Sequence, residues 1–368
     1  MPLYLPPSMK FERLTDSLPA RLLRSTLSFR PFQSKGPRPR VMQMGPNELF
    51  LDILSYFPVG DYLDCYYRAQ ISPLLRPTLR IPRVYLERSR ILVALTSTCW
   101  DMRLRLLPWL WGRVQAYIVL GSYTTSASRV GQSLLMQCRL LLKSPSLAAH
   151  VHVLSVDLVF QKPEIQSRLS SFVRCLRALP NLHTLEIVYY LGGKNSTAIK
   201  RAFLSVRLPN VLTLTVYSGA ESVIKACPNV RAVTLICGGF VIPDSAVDLL
   251  ADMRHTIRRV AIIHGNPRGV AKLAERFPTL EELSLAEPSA RHLRAITGFS
   301  SLRTLELVLL PSRRTGADPR EMWTDQVQAA VDVLRTIPGN SPILIRLRKV
   351  DNTYLVSSPW WEMEEIWV

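Results

Sequence analysis

From residue 151 onward one six-residue pattern, apolar-x-x-apolar-x-apolar, returns along the chain. It reads V-H-V-L-S-V at 151, L-H-T-L-E-I at 182, V-L-T-L-T-V at 211 and V-R-A-V-T-L at 230. It continues as I-R-R-V-A-I at 257, L-E-E-L-S-L at 280 and L-R-T-L-E-L at 302, at intervals of 31, 29, 19, 27, 23 and 22 residues. Each copy predicts a short strand. Between the copies the apolar spacing lengthens to that of helices, over 164–179, 197–206 and 266–277, the last with Asn266 as cap and Pro267 at the first helical position. Pro180, Pro209, Pro228 and Pro278 stop the preceding segment just before a strand. Further helices are predicted at 129–143 and 318–337, and a last strand at 342–350.

No unit of this kind buries its apolar face alone, so the units must stack, strands side by side in parallel and helices on the other side. The alternation in a strand sends the motif's leucines to the core and the residues between them to the concave face. One concave column is then Ser155, Glu186, Thr215, Thr234, Ala261, Ser284 and Glu306. Its neighbour is Asp157, Val188, Tyr217, Ile236, Ile263, Ala286 and Val308. The second column is apolar enough to need an explanation. Either flanking loops cover it or it lines a protein-binding groove. In the groove reading Glu186, Val188, Thr215, Tyr217, Ile236, Ile263 and Glu306 touch the target, with Tyr217 as the central anchor.

Upstream, residues 46–57 carry a different stripe. Leu49, Phe50, Ile53, Leu54 and Phe57 fall three, four, seven, eight and eleven places after Pro46, which marks an amphipathic helix with proline at its first position and Glu48 near its positive end. A-L-T-S-T-C follows at 94–99 and P-W-L-W at 108–111. Pro46, Glu48, Leu49, Ile53, Leu54, Leu95, Cys99, Pro108, Leu110 and Trp111 together resemble the F-box, a small helical module. The chain is similar to expanded fungal families of it. It departs from their pattern at Gly45, at Met102 and in a basic insertion over about 58–88. The strand-and-helix units resemble leucine-rich repeats in an irregular form. The Asn or Cys such repeats carry after the strand is replaced by Tyr190, Gly219, Gly238, Gly265, Pro288 and Leu310.

The resemblance implies an α/β solenoid, irregular and leucine-rich-repeat-like, preceded by a small all-α F-box-like domain. Residues 1–43 form a basic tail, 44–114 the F-box-like domain, 115–146 a helical connector, 147–350 the solenoid and 351–368 an aromatic and acidic cap in which Trp360, Trp361 and Trp367 cover the open end. It also implies partners. Pro46, Leu49, Ile53, Leu54, Leu110 and Trp111 would meet a Skp-type linker protein, or support that contact, and through the linker a cullin; the repeats would hold an unknown protein substrate. This makes the chain a substrate-recruiting adaptor of an SCF-type cullin-RING ubiquitin ligase and not an enzyme.

Composition adds two constraints. The net charge is +18, with eight Lys and Arg in residues 1–43 against Glu12 and Asp16. Such a balance suits acidic partners. The tail has the make-up of a disordered extension; Glu12, Asp16 and the prolines argue against a presequence. The six cysteines are dispersed in apolar segments, the usage of reduced thiols in the cytoplasm or nucleus. No run of apolar residues is long enough to span a membrane.

Candidate chemistry is sparse. His150 and His152 form a close pair without a third ligand, phosphate-cradling glycine motifs and G-x-S-x-G do not occur, and L-I-C-G-G-F around Cys237 reads as a turn after a core cysteine. No cofactor is expected. Arg313 and Arg314 are candidates for meeting a phosphorylated segment. Two other readings stay open: a repeat scaffold with a degenerate F-box, and a nucleic-acid-associated protein using its basic amino-terminal half. Arginines without interleaved aromatics argue against nucleic acid.

Overall fold

A computed structural model describes residues 83–116, 123–158, 165–190, 196–237, 241–263, 265–286, 288–309, 319–337, 342–350 and 361–368. Pro46, Leu49, Ile53 and Leu54, the insertion at 58–88 up to residue 82, and Arg313 and Arg314 lie outside the described residues.

Two helices come first, α1 (Arg83–Thr96) and α2 (Trp100–Trp111). Cys99 has extended backbone and caps α2, its sulfur accepting from the Met102 N–H, while Asp101 lies in the first turn where the helix dipole favours an anion. A single residue, Gly112, then joins α2 to strand β1 (Arg113–Ala116). A Cβ on Gly112 would stand 2.7 Å from the Pro108 carbonyl oxygen, so the close approach requires glycine. The Gly112 carbonyl in turn accepts from both His152 and Val153 N–H groups. The helix pair is thereby mounted on the sheet without a flexible linker.

After α3 (Tyr123–Lys143) and the short α4 (Pro145–Ala148), strands and helices alternate. The order is β2 (Val153–Leu158), α5 (Ile165–Arg177), β3 (Thr184–Tyr190), α6 (Ser196–Phe203), β4 (Thr213–Tyr217), α7 (Ser222–Ala226), β5 (Ala232–Ile236) and α8 (Asp244–Asp252). There follow β6 (Arg259–Ile263), α9 (Pro267–Arg276), β7 (Glu282–Ala286), α10 (Ala290–Ala295) with a 3-10 turn, β8 (Thr304–Leu309), α11 (Pro319–Leu334), β9 (Leu344–Val350) and β10 (Trp361–Trp367). The ten strands form one sheet in chain order. Neighbours from β1 to β9 pair in parallel, and β10 turns back antiparallel on β9. Each of the seven hexapeptides supplies one strand, β2 to β8. The result is a mostly parallel α/β sheet with alternating helices, an arrangement compatible with a solenoid.

The register explains why the motif works. Leu154, Leu185, Leu214, Val233, Val260, Leu283 and Leu305 stand side by side, as do Val156, Ile187, Val216, Leu235, Ile262, Leu285 and Leu307. All are buried in one core with the helices' apolar faces, among them Phe172, Phe277 and Phe299. Filling such a core with the side chains of strand and helix contributes about 1.5–3 kcal/mol per large residue. Helix α9 follows the sequence prediction closely: the Asn266 side chain accepts from the Gly269 N–H at 2.7 Å and Pro267 takes the first position.

The missing asparagines after the strands have a counterpart before them. Asn181, Asn210 and Asn229, each following a proline, donate to the carbonyls of Ala149 (2.6 Å), Pro180 (2.6 Å) and Pro209 (2.9 Å) in the preceding turn. At Pro278 the same role falls to the backbone and hydroxyl of Ser300. The turns therefore lock to one another along the strand-entry edge, and backbone carbonyls that would be orphaned there are satisfied.

Three expectations need correction. The sheet starts at Arg113, not at 147, because β1 pairs with β2 and α3 packs on β1 and β2; the stretch read as a connector belongs to the sheet. Val188 has no place in its column. The β2–β3 register shifts after Val156, so Asp157 pairs with Tyr189 and Val188 falls in the irregularity. Trp367 does not cover the open end: it remains 65% exposed, and the end is finished by the β10 backbone with Ile366 and Val368 packed on the core. Cross-strand pairing of Arg346 with Glu365 (3.1 Å) holds that strand in register. Trp360 lies outside the described residues.

Candidate functional site

Three surfaces compete for function: the front helix pair, the inner face of the sheet and the edge where the strands enter. In the front pair, Leu92, Met102 and Leu106 form a small core of their own, with Leu95 and Leu110 packed against it. Trp111 faces the other way and packs on the main core of the sheet. Both residues expected at a linker interface thus serve inside the protein as support. Other residues of α2 are different. Trp100, Leu104 and Trp109 are exposed by 69%, 53% and 49%; Trp100 and Leu104 lie one helical turn apart on one side, and Trp109 lies toward the opposite side. Two tryptophans and a leucine left exposed on one short helix are apolar surface of the kind that marks a contact with another protein.

On the inner face the register places Ser155, Glu186, Thr215, Thr234, Ala261, Ser284 and Glu306 in a row across seven strands. The row is not open. All but Thr234 are buried. Glu186 accepts from the Ser155 hydroxyl and lies 3.8 Å from the Arg113 guanidinium two strands away. Glu306 is held by Arg259, again two strands away, at 2.5 Å. In the neighbouring column Ile236 and Ile263 are 1% exposed, and with Val308 they stand apart from the core under the helices. Among the expected target contacts whose side chains are described, Glu186, Thr215, Ile236, Ile263 and Glu306 are therefore buried, and Tyr217 alone keeps partial exposure. Burial and the nearby Cys237 push the Tyr217 phenol above its ordinary pKa. It borders a shallow recess with Ser218, Glu221, Pro243 and Ala246. Of the two sequence readings of the apolar column, the covered one fits these exposures and an open groove does not.

Three buried thiols among the described residues are held in their protonated form. Burial raises the Cys227 and Cys237 pKa to about 12, with Glu221 adding to the shift at Cys237. A hydrogen bond with Cys175 and burial push Cys138 well above the usual thiol range. These groups are protonated at neutral pH and behave as small apolar residues. Cys99 departs from the expected pattern: it is exposed, with its sulfur engaged as a cap. His152 pairs not with His150 but with His183, the rings stacked at 5.5 Å. Among the described residues no group of three His, Cys, Asp or Glu is arranged to hold a metal ion. Nor is any helix among them long and apolar enough to cross a membrane.

No family model matches this chain, and no curated protein matches it in sequence.

Proposed function

We propose that the chain is a substrate-recruiting adaptor of an SCF-type cullin-RING ubiquitin ligase, with an F-box-like front that docks a Skp-type linker and an irregular leucine-rich-repeat solenoid that holds the target protein. The observation that carries this reading is the exposed apolar side chains of α2. The helix that ends in the P-x-L-W motif presents Trp100, Leu104 and Trp109 to solvent while Leu110 and Trp111 anchor it from behind. A docking helix joined to a sheet through one residue also suits the task. An adaptor acts by fixing two proteins near each other, and a stiff connection sets their separation. No bond chemistry is required of it.

The experiment is co-purification of the full chain with a Skp-type linker. Leu104→Asp combined with Trp109→Asp places charges at two exposed apolar positions of α2 and spares both cores. Loss of at least about 2 kcal/mol of binding, roughly 30-fold, is the expected outcome, with the thermal transition of the chain unchanged. Leu54→Asp tests the amino-terminal helix in the same assay. The packing of Trp111 on the sheet favours one second reading, a repeat scaffold in which α1 and α2 merely close the β1 end. That reading predicts no linker in the purified material, with or without the substitutions.

A further inference from the structure

The two long edges of the sheet differ in charge. Along the edge where strands begin, the chain runs from the last turn of a helix to the second position of the next hexapeptide, in segments 174–183, 200–212, 223–231, 249–258, 273–281 and 292–303, and over 331–337 at the end of α11. They hold thirteen Lys and Arg against Asp252, Glu275, Glu281 and Asp332, and every one of the thirteen is exposed. On the opposite edge, where strands end, the described turns carry Glu221 and Asp244 against Arg268 and Arg291. Among the described residues the basic band belongs to the edge where strands begin.

Part of the band has an ordinary cause: cations in the last turn of a helix offset the negative end of its dipole. That covers Arg177 or Arg276. It does not cover Arg207, Arg231, Arg258 and Arg303, which lie four or more residues beyond the preceding helix, out of reach of its last turn. The last three are further constrained by the backbone. The Arg231 carbonyl accepts from the Arg258 and Arg259 N–H groups, and the Arg303 carbonyl from Leu344. These residues therefore sit in one register row, Arg231 and Arg258 on neighbouring strands about 5 Å apart and Arg303 two strands beyond, with Glu281 on the strand between. Like charges side by side repel. On the inner face the same protein neutralises its arginines with Glu186 and Glu306; among the described residues no carboxylate ion pair engages Arg231, Arg258 or Arg303.

We propose that this edge, centred on Arg231, Arg258 and Arg303, is where the chain takes an extended acidic segment of a protein partner. The proposal rests on the reading that the sheet half holds a target, and it moves the contact from the covered inner face to the exposed edge. A protein segment fits better than nucleic acid. Glu275 and Glu281 interrupt the band and would oppose the stiff phosphate backbone of a duplex, while a flexible peptide can turn its carboxylates away from them. Between Arg207 and Arg303 the band exposes no Phe, Tyr or Trp side chain on which bases would stack.

The test uses the full chain and labelled poly-glutamate of about 20 residues as probe, with a DNA duplex and a single-stranded RNA of matched charge beside it. Poly-glutamate should bind at low salt and weaken as ionic strength rises from about 50 to about 200 mM. Arg231→Glu, Arg258→Glu and Arg303→Glu together should weaken it by about tenfold or more, while the three Arg→Lys changes retain most of it. Unchanged affinity after charge reversal would assign the binding to other basic segments and overturn the proposal. So would absent binding at low salt, or tighter binding of duplex or RNA than of poly-glutamate. Co-purification with the linker reads the other end of the molecule, so a failure here is separate from a failure of the adaptor reading.

Discussion

The inner face of the sheet and its strand-entry edge are built from the same hexapeptides yet treat charge in opposite ways. On the face, Glu186 and Glu306 are buried and each has an arginine two strands away. On the edge, three residues earlier in the motif, Arg231, Arg258 and Arg303 stand exposed. A charge removed from water must be paired or it destabilises the fold, whereas one left in water need not be. The difference teaches which positions were constrained by folding and which were left available for contact with something else.

Substitutions can break this comparison. The largest effect belongs to the helical side: Phe277→Ala, at a fully buried ring, is expected to cost about 3–5 kcal/mol in denaturant titration. On the inner face, Glu306→Ala should cost about 2 kcal/mol, since it strips Arg259 of its partner. Changing Arg259 to Met as well should recover part of that loss. If Glu306→Ala proved neutral, the inner face would be wetter than its burial indicates. The turn ladder comes next: Asn210→Ala removes one donor to the Pro180 carbonyl and should cost about 1 kcal/mol. On the edge, Arg258→Ala should change stability by no more than about 0.5 kcal/mol in either direction, since Arg231 on one neighbouring strand repels it and Glu281 on the other attracts it. A loss of several kcal/mol there would show that the edge arginines serve folding after all.

The smallest effect is one of pH and lies at the other end of the same edge. Burial, with His152 beside it, holds the His183 pKa below the ordinary imidazole value. The folded state therefore binds fewer protons than the unfolded chain, so the contribution of His183 is present above about pH 6.5 and is lost as pH falls below it. Replacing His183 by Asn should flatten stability between pH 7 and 5, by chemical denaturation at each pH.

Much of the sheet was legible in the residues. Leu154 to Leu305 and Val156 to Leu307 announce buried rows by their period, and all seven predicted strands align. Strand β1 was not legible, because four residues, Arg113–Ala116, are too few to show alternation and their neighbours read as helix. Nor was the fate of Ile236 and Ile263. Alternation says which face a side chain takes but not whether that face meets water. The candidate docking surface was half visible: P-x-L-W marked the right helix, but a motif does not distinguish Leu110 and Trp111, which turn inward, from Leu104 and Trp109, which do not. The basic edge escaped because its residues are far apart in sequence and meet only through the register.

The adaptor account stands or falls on the front helix, and one purification addresses it. The tagged full chain, expressed with a Skp-type linker and a cullin, should bring down both. The Leu104→Asp, Trp109→Asp variant should bring down neither while still melting like the unaltered protein. Linker and cullin absent from the unaltered chain, or retained by a folded variant, would contradict it.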